Sequence, residues 1–123
     1  MVAHDGPVES ISAVTLATAR MADAVTFFEK LGFERLYGGP GDGFTSYQVG
    51  SGYLNLERVD DWRPPEQVWG RVIFYVTDVD EMYERARAAG VVPLAAPADA
   101  PWGERYFHVR SPDGHELSFA RPL

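Results

Sequence analysis

Between Ser10 and Ala17 the apolar positions Ile11, Val14 and Leu16 are separated by polar or small residues. That alternation predicts a strand with one face buried. From Arg20 to about Leu31 the spacing lengthens: Ala24, Phe27, Phe28 and Leu31 recur at the helical period and predict an amphipathic helix. Gly32 stands where a helix C-cap glycine belongs. Phe33 to Tyr37 predicts a short strand. Gly38 to Gly43 is too rich in glycine and proline for either regular element. Phe44 to Val49 and Tyr53 to Glu57, joined at Gly50 to Gly52, predict a hairpin. Asp60 to Glu66 carries Pro64 and Pro65 and predicts a linker.

The second half runs through the same order. Arg71 to Val76 predicts a strand, Val79 to Ala89 a helix closed by Gly90, and Val91 to Leu94 a short strand. Ala95 to Trp102, with Pro97 and Pro101, predicts a loop. Arg105 to Arg110 and His115 to Ala120 close the chain as a hairpin across Ser111 to Gly114. Val14 and Val72 stand 58 positions apart, as do Gly32 and Gly90. A register that does not slip over a whole strand and helix marks two equivalent supersecondary units. The expected fold is therefore α+β, two β-α-β-β-β modules at about 10–58 and 69–121. They form a single domain at 10–122, preceded by an arm at 1–9.

Alternation also assigns the faces. Val14, Leu16, Tyr47, Val49, Leu54, Leu56, Val72, Phe74, Val76, Phe107, Val109, Leu117 and Phe119 should lie against the helices. Ala13, Thr15, Ser46, Gln48, Asn55, Glu57, Arg71, Ile73, Tyr106, His108 and Ser118 should lie on the other face. Two sheets curling toward each other would make that mixed surface the wall of a cleft.

Bulk properties narrow the chemistry. At 123 residues and 46% hydrophobic content, the chain has enough apolar surface for a globular core. A net charge of −7 disfavours nucleic acid, which needs a basic face, and would attract cations. No apolar run approaches the roughly 20 residues needed to span a bilayer, so no membrane partner is expected. No signal peptide is evident at the N-terminus, and the expected location is cytoplasmic. With no cysteine there is no disulfide, thiolate ligand or thiol nucleophile. No Ser-His-Asp elbow is evident. Gly38 to Gly43 does not open a helix, so it lacks the geometry that holds phosphate.

The segments Val25-Thr-Phe-Phe-Glu-Lys-Leu-Gly-Phe33, Val76-Thr-Asp-Val-Asp80, Ala86-Arg-Ala-Ala-Gly-Val91 and Ser111-Pro-Asp-Gly-His-Glu-Leu-Ser-Phe119, in this order and on a paired repeat, resemble the vicinal-oxygen-chelate superfamily. That group includes glyoxalase I, extradiol dioxygenases and bleomycin-resistance proteins. The resemblance spans about Ser10 to Pro122. It implies the fold strongly and the chemistry weakly, since one fold hosts many functions.

In metal-dependent relatives, His or Glu ligands come from the first strand and last hairpin strand of each half. The resemblance places those positions at Ala13, Asn55, Arg71 and Ser118, the second and fourth depending on hairpin register. Alanine has no donor atom, and arginine carries a permanent positive charge to where a cation would sit. A catalytic divalent metal usually needs about three protein ligands, and none of these four is a carboxylate or imidazole. His4 falls in the terminal arm, and His115 beside a turn is expected to be solvated. His108 reads as a neutral strand residue bonded to a neighbour, or as a displaced ligand with Glu57 and Glu116.

Aromatic residues are the remaining lead. Phe44, Tyr53, Trp62, Trp69, Tyr75, Trp102 and Tyr106 fall on strands or loops at the sheet margins. Rings there can stack on a flat ligand or face a cation, or else cover the core edge or a dimer interface. The expected site comprises Phe44, Ser46, Gln48, Asn55, Glu57, Trp62, Arg71, Ile73, Trp102, Tyr106, His108 and Ser118. No catalytic residue, metal or other cofactor is expected. Arg71 either enters the cleft, paired with Glu57, Glu116 or a ligand acid, or extends to the rim. Metal-free relatives that sequester drugs act as dimers with shared clefts. The resemblance therefore implies a homodimer holding an aromatic or amphipathic small molecule, plausibly an antibiotic. The alternative is a metal-dependent lyase, isomerase or dioxygenase.

Overall fold

The computed structural model describes residues 6–123. His4 and the first part of the N-terminal arm lie outside the described residues. The elements follow the order β1 (Ala13–Thr18), α1 (Met21–Lys30), β2 (Glu34–Tyr37), β3 (Phe44–Val49), β4 (Gly52–Arg58), β5 (Arg71–Tyr75), α2 (Val79–Ala88), β6 (Ala98–Asp99), β7 (Glu104–Arg110) and β8 (Glu116–Pro122). They form two four-stranded mixed sheets, ordered β1-β4-β3-β2 and β5-β8-β7-β6. In each, the first strand pairs parallel with the last strand of its module, and the remaining pairs are antiparallel. This is the expected α+β architecture of two β-α-β-β-β units.

Both helices end in the same way. After α1, the Gly32 amide donates to the Glu29 carbonyl and the Phe33 amide to Phe28, at 3.1 Å each. After α2, Gly90 donates to Arg87 and Val91 to Ala86, at 3.0 and 2.9 Å. These are paired Schellman motifs, which need a left-handed residue. Gly32 and Gly90 supply it, with φ of 96° and 80°. The N-termini differ: Asp78 caps α2 by accepting from the Glu81 amide, whereas Arg20 gives α1 no side-chain cap.

The Schellman turn after α1 also positions Phe33. Its ring packs edge-on against Phe28 and Tyr47 of its own module and against Phe74 and Phe119 of the other. The helix-facing residues of both sheets, with the stripes of both helices, therefore form one core. All the side chains assigned to that face by alternation belong to the core or pack against it. Tyr47 is fully buried and donates its hydroxyl to Glu29, which also receives a bidentate pair from Arg35. Burial, reinforced by Glu29, raises the Tyr47 phenol above its ordinary value.

Two expectations change at the margins. β1 starts at Ala13, not Ser10, because its partner β4 begins at Gly52; Ile11 is left exposed. No strand forms over Val91–Leu94. There, the Val91 amide is used in the helix cap, Pro93 has no amide to donate, and only Leu94 reaches β7, through the His108 carbonyl. Pairing resumes later at Ala98–Asp99, within the segment expected to be a loop.

Phe33→Ala should cost roughly 3 kcal/mol, the low end for losing a core phenylalanine because this ring is partly exposed. The loss should appear as a lower urea midpoint with the m-value retained. An unchanged midpoint would show that the two modules do not depend on this ring.

Candidate functional site

Because the helix side of each sheet is buried in the shared core, the opposite faces are open. On the first sheet, cross-strand register aligns Thr15, Asn55 and Ser46. Ser46 Oγ donates to Asn55 Oδ1 at 2.7 Å, and Asn55 Nδ2 donates to Thr15 Oγ1 at 3.3 Å. Glu57 is exposed in the next row, between Ala17 and Phe44. Gln48 sits at the far end, beside Tyr53, and donates to the Gly50 carbonyl.

The second sheet aligns Arg71, Glu116 and Arg110, then Ile73, Ser118 and His108, then Tyr75, Ala120 and Tyr106. Arg71 Nε and Nη2 both donate to Glu116 Oε1, at 2.9 and 2.5 Å. Arg71 therefore stays on the open face and takes Glu116, one of its two expected intramolecular partners. Glu116 is 5% exposed. Its buried carboxylate needs that guanidinium, since an unpaired buried charge is costly. Ser118 is buried in the middle strand.

Beside this ion pair a ladder of rings runs from Trp102, just before β7, through Tyr106 to His108 on it. Trp102 stacks on Tyr106 with centroids 6.0 Å apart, and Tyr106 lies 5.0 Å from His108. His108 Nδ1 is buried without a hydrogen-bond partner, which departs from the expected bond to a neighbour. Its cross-strand partner is Ser118 and its neighbour along β7 on the same face is Tyr106, and neither satisfies that nitrogen. Burial, then the Arg71 charge, holds the His108 imidazole below its ordinary value, and Glu116 opposes them.

A divalent metal, as the resemblance would allow, does not fit these side chains. Among the described residues no three His, Asp or Glu groups stand together as ligands. The structure does not bring Glu57 to His108 and Glu116. The guanidinium of Arg71 takes one of the resemblance's ligand positions and bonds the nearest carboxylate. Ala13 and Asn55, from the other module, do not supply the missing donors.

Among the described residues, the polar contacts described above on the open faces join residues of one sheet: Thr15, Asn55 and Ser46 in the first, Arg71 and Glu116 in the second. The modules adjoin at a hollow of about 290 Å³ lined by Ala13 and Ile73 of the open faces and by Val14 and Val72 of the helix-facing sides. A second hollow, about 260 Å³, lies between the modules, with Gln48, Phe33, Phe74 and Phe119 in its walls.

Trp62 is put to a different use from ligand stacking. Its ring stacks on His115 at 5.1 Å and its Nε1 donates to the Asp113 carbonyl at 3.0 Å. Trp69 Nε1 donates to His115 Nδ1 at 3.2 Å, so the other nitrogen, Nε2, carries the proton and donates to the Ala17 carbonyl at 2.8 Å. Asp113 accepts from the Ala19 amide. His115 is thus 3% exposed and not solvated: the linker folds over its turn and closes the joint between modules. Sequence reasoning missed this role because each contact spans more than forty residues. Also missed was Glu104, which accepts from the hydroxyl of Tyr75, one of the aromatics expected at the sheet margins. Alternation places both on the open face, and that was the available signal.

A histidine whose folded-state value is depressed lowers stability as pH falls, because the unfolded chain binds the proton more readily. Stability should therefore decline as pH drops below the ordinary histidine value of 6.5. His108→Gln should flatten that part of the profile of urea midpoint against pH. Superimposable wild-type and variant profiles would rule out this role for His108.

A match to the Glyoxalase/Bleomycin resistance protein/Dioxygenase superfamily spans residues 10–119. The structure of TioX from Micromonospora sp. ML1 is 30% identical, with a TM-score of 0.75 over 94% of this chain and 100% of that one. A bleomycin resistance determinant encoded on the transposon Tn5 is 20% identical, TM-score 0.76, over 93% and 98%. Lactoylglutathione lyase from Agrobacterium tumefaciens is 20% identical, TM-score 0.73, over 94% and 95%. The last two likenesses show the fold alone. An uncharacterised Mycobacterium bovis protein is 44% identical over 48 residues, which is 39% of this chain and 32% of that protein; the match thus spans about a third of the curated relative's length. The repeated module, its register and these matches agree that the chain belongs to the Glyoxalase/Bleomycin resistance protein/Dioxygenase superfamily.

Proposed function

We propose that this protein binds an aromatic or amphipathic small molecule on its open faces, without a metal and without converting it. The observation that carries this reading is the Arg71–Glu116 pair beside the Trp102–Tyr106–His108 ladder. A charge that opposes a cation fills a position where metal-dependent relatives carry a ligand. The surface next to it is built from rings. Sequestration requires affinity and no transition-state stabilisation; a 1 μM dissociation constant corresponds to about −8.2 kcal/mol. A few stacked rings and hydrogen bonds can supply that. A bleomycin resistance determinant among the structural neighbours makes an antibiotic a reasonable ligand class to test first.

We further propose that two copies pair, each open face completing the other's cleft. Ile73 is 58% exposed and Phe44 and Tyr53 are 38% exposed. Apolar residues on an uncovered sheet face commonly mark an interface or a ligand surface. A second copy is the occupant favoured here because the chain itself carries two versions of the same module. Sedimentation across micromolar concentrations should give a dimer; a monomer throughout would overturn this assembly.

Tryptophan fluorescence screening against antibiotics and aromatic metabolites tests the binding reading. A bound compound should be recovered intact after long incubation, and exhaustive chelation should leave its affinity unchanged. Trp102→Ala should weaken binding by roughly 1 kcal/mol or more, as expected for an anchoring ring. Trp62→Phe should instead lower stability and leave affinity largely intact. Turnover of the bound compound, or affinity lost on chelation and restored by a metal, would overturn the proposal.

A further inference from the structure

We infer that the Glu104 end of the second sheet's open face recognises an organic cation, a quaternary or protonated ammonium group carried by the ligand. This deepens the small-molecule reading above and rests on it. Glu104 lies on β7 beyond Tyr106, and its two carboxylate oxygens are held separately. Trp102 Nε1 donates to Oε1 at 2.8 Å, and the Tyr75 hydroxyl donates to Oε2. Both donors are neutral. They orient the carboxylate and leave its charge uncompensated. Among the described residues Glu104 forms no ion pair, and the cations near it have other partners; Arg121, on the neighbouring strand, donates to the Val76 carbonyl. Arg105 projects to the other side of β7, where it binds Asp80 and Asp99, and Arg71 binds Glu116.

The two donor rings are unusually open for their size. Trp102 is 70% exposed and Tyr75 is 64% exposed. An aromatic side chain left in water loses the burial that ordinarily stabilises it, yet each ring is tied to the same carboxylate. The result is a charged carboxylate held by the polar edges of two exposed rings, with Tyr106 stacked on one face of Trp102. The carboxylate supplies the attraction for an ammonium group, and an exposed ring face within reach of it adds to that attraction. An anionic group would be repelled by Glu104. A neutral polar group would gain a hydrogen bond to a carboxylate already receiving two. The net charge of −7 favours the encounter with a cation as well. The ligand class that matches is thus a cationic amphiphile. Its ammonium would sit at Glu104, and its flat part would lie along the ring ladder toward His108.

The test uses two probes of nearly equal shape, choline and its neutral carbon isostere 3,3-dimethylbutan-1-ol. The Trp102 indole N–H resonance, assigned with a Trp102→Phe variant, reports binding to the full-length protein. Choline should bind at least fivefold more tightly than the isostere. Glu104→Gln should reduce that preference to less than twofold. Tyr75→Phe, which removes one donor and keeps the ring and the carboxylate charge, should retain most of it. Thermal unfolding of both variants shows whether they remain folded, and the wild-type comparison stands without them. Equal affinity for the two probes overturns the cation site; so does a choline preference that survives Glu104→Gln. In either case flat neutral compounds can still bind the ladder, and the fluorescence screen decides that wider reading separately. If neither probe moves the resonance, the cation site is overturned.

Discussion

A four-stranded sheet carrying a single helix can bury only one of its faces. This chain contains two such units, and it merges their helix sides into one core around Phe33, Phe74 and Phe119. Once those faces are joined, neither helix is left to cover the opposite faces. Polar ladders, an ion pair and exposed rings occupy them instead. The composition of the open faces is thus a consequence of where the core had to form.

The joint between modules depends on groups drawn from three parts of the chain. His115 bonds Ala17 through one nitrogen and Trp69 through the other, with Trp62 stacked on its ring. Gly114, beside it, has φ of 84°, and an added Cβ would come within 2.6 Å of Pro64. The proline-bearing linker therefore lies tightly on this turn as part of the packing. A histidine with a partner on each nitrogen keeps one tautomer, which is a structural use of the residue and leaves it unavailable to a ligand.

On the open faces, electrostatics separates two kinds of acidic residue. Glu116 is buried and neutralised by Arg71. Glu104 is held by neutral donors and keeps its charge beside exposed rings. The same side-chain type thus serves structure in one place and is offered to solvent in another. The difference is set by which strand neighbours reach it. His108 lies between these regimes, partly desolvated and near the Arg71 charge, with one nitrogen unsatisfied. Buried polar atoms without partners are few in native proteins, and this one lies between the Arg71–Glu116 pair and the Tyr106 ring.

Hydrophobic periodicity alone determined the module repeat, both helices with their closing glycines, and the inward and outward residues of each long strand. Those features are local: a period of two or of 3.6 and a glycine at a helix end are written in adjacent residues. That Ala13, Asn55, Arg71 and Ser118 are neither carboxylates nor imidazoles is read directly from the residues, whereas their place as ligand positions came from the family resemblance. The short β6 was misplaced, since a two-residue strand has no periodicity and Pro93 only shows where pairing fails. Tertiary structure decided which acid Arg71 would hold, that Trp62 would serve the joint while Trp102 remained exposed, and that His115 would be buried. It also decided that Tyr75 and Glu104 would meet. Each of these depends on strand register or on contacts between distant segments, which become defined only when the two modules pack around their common core.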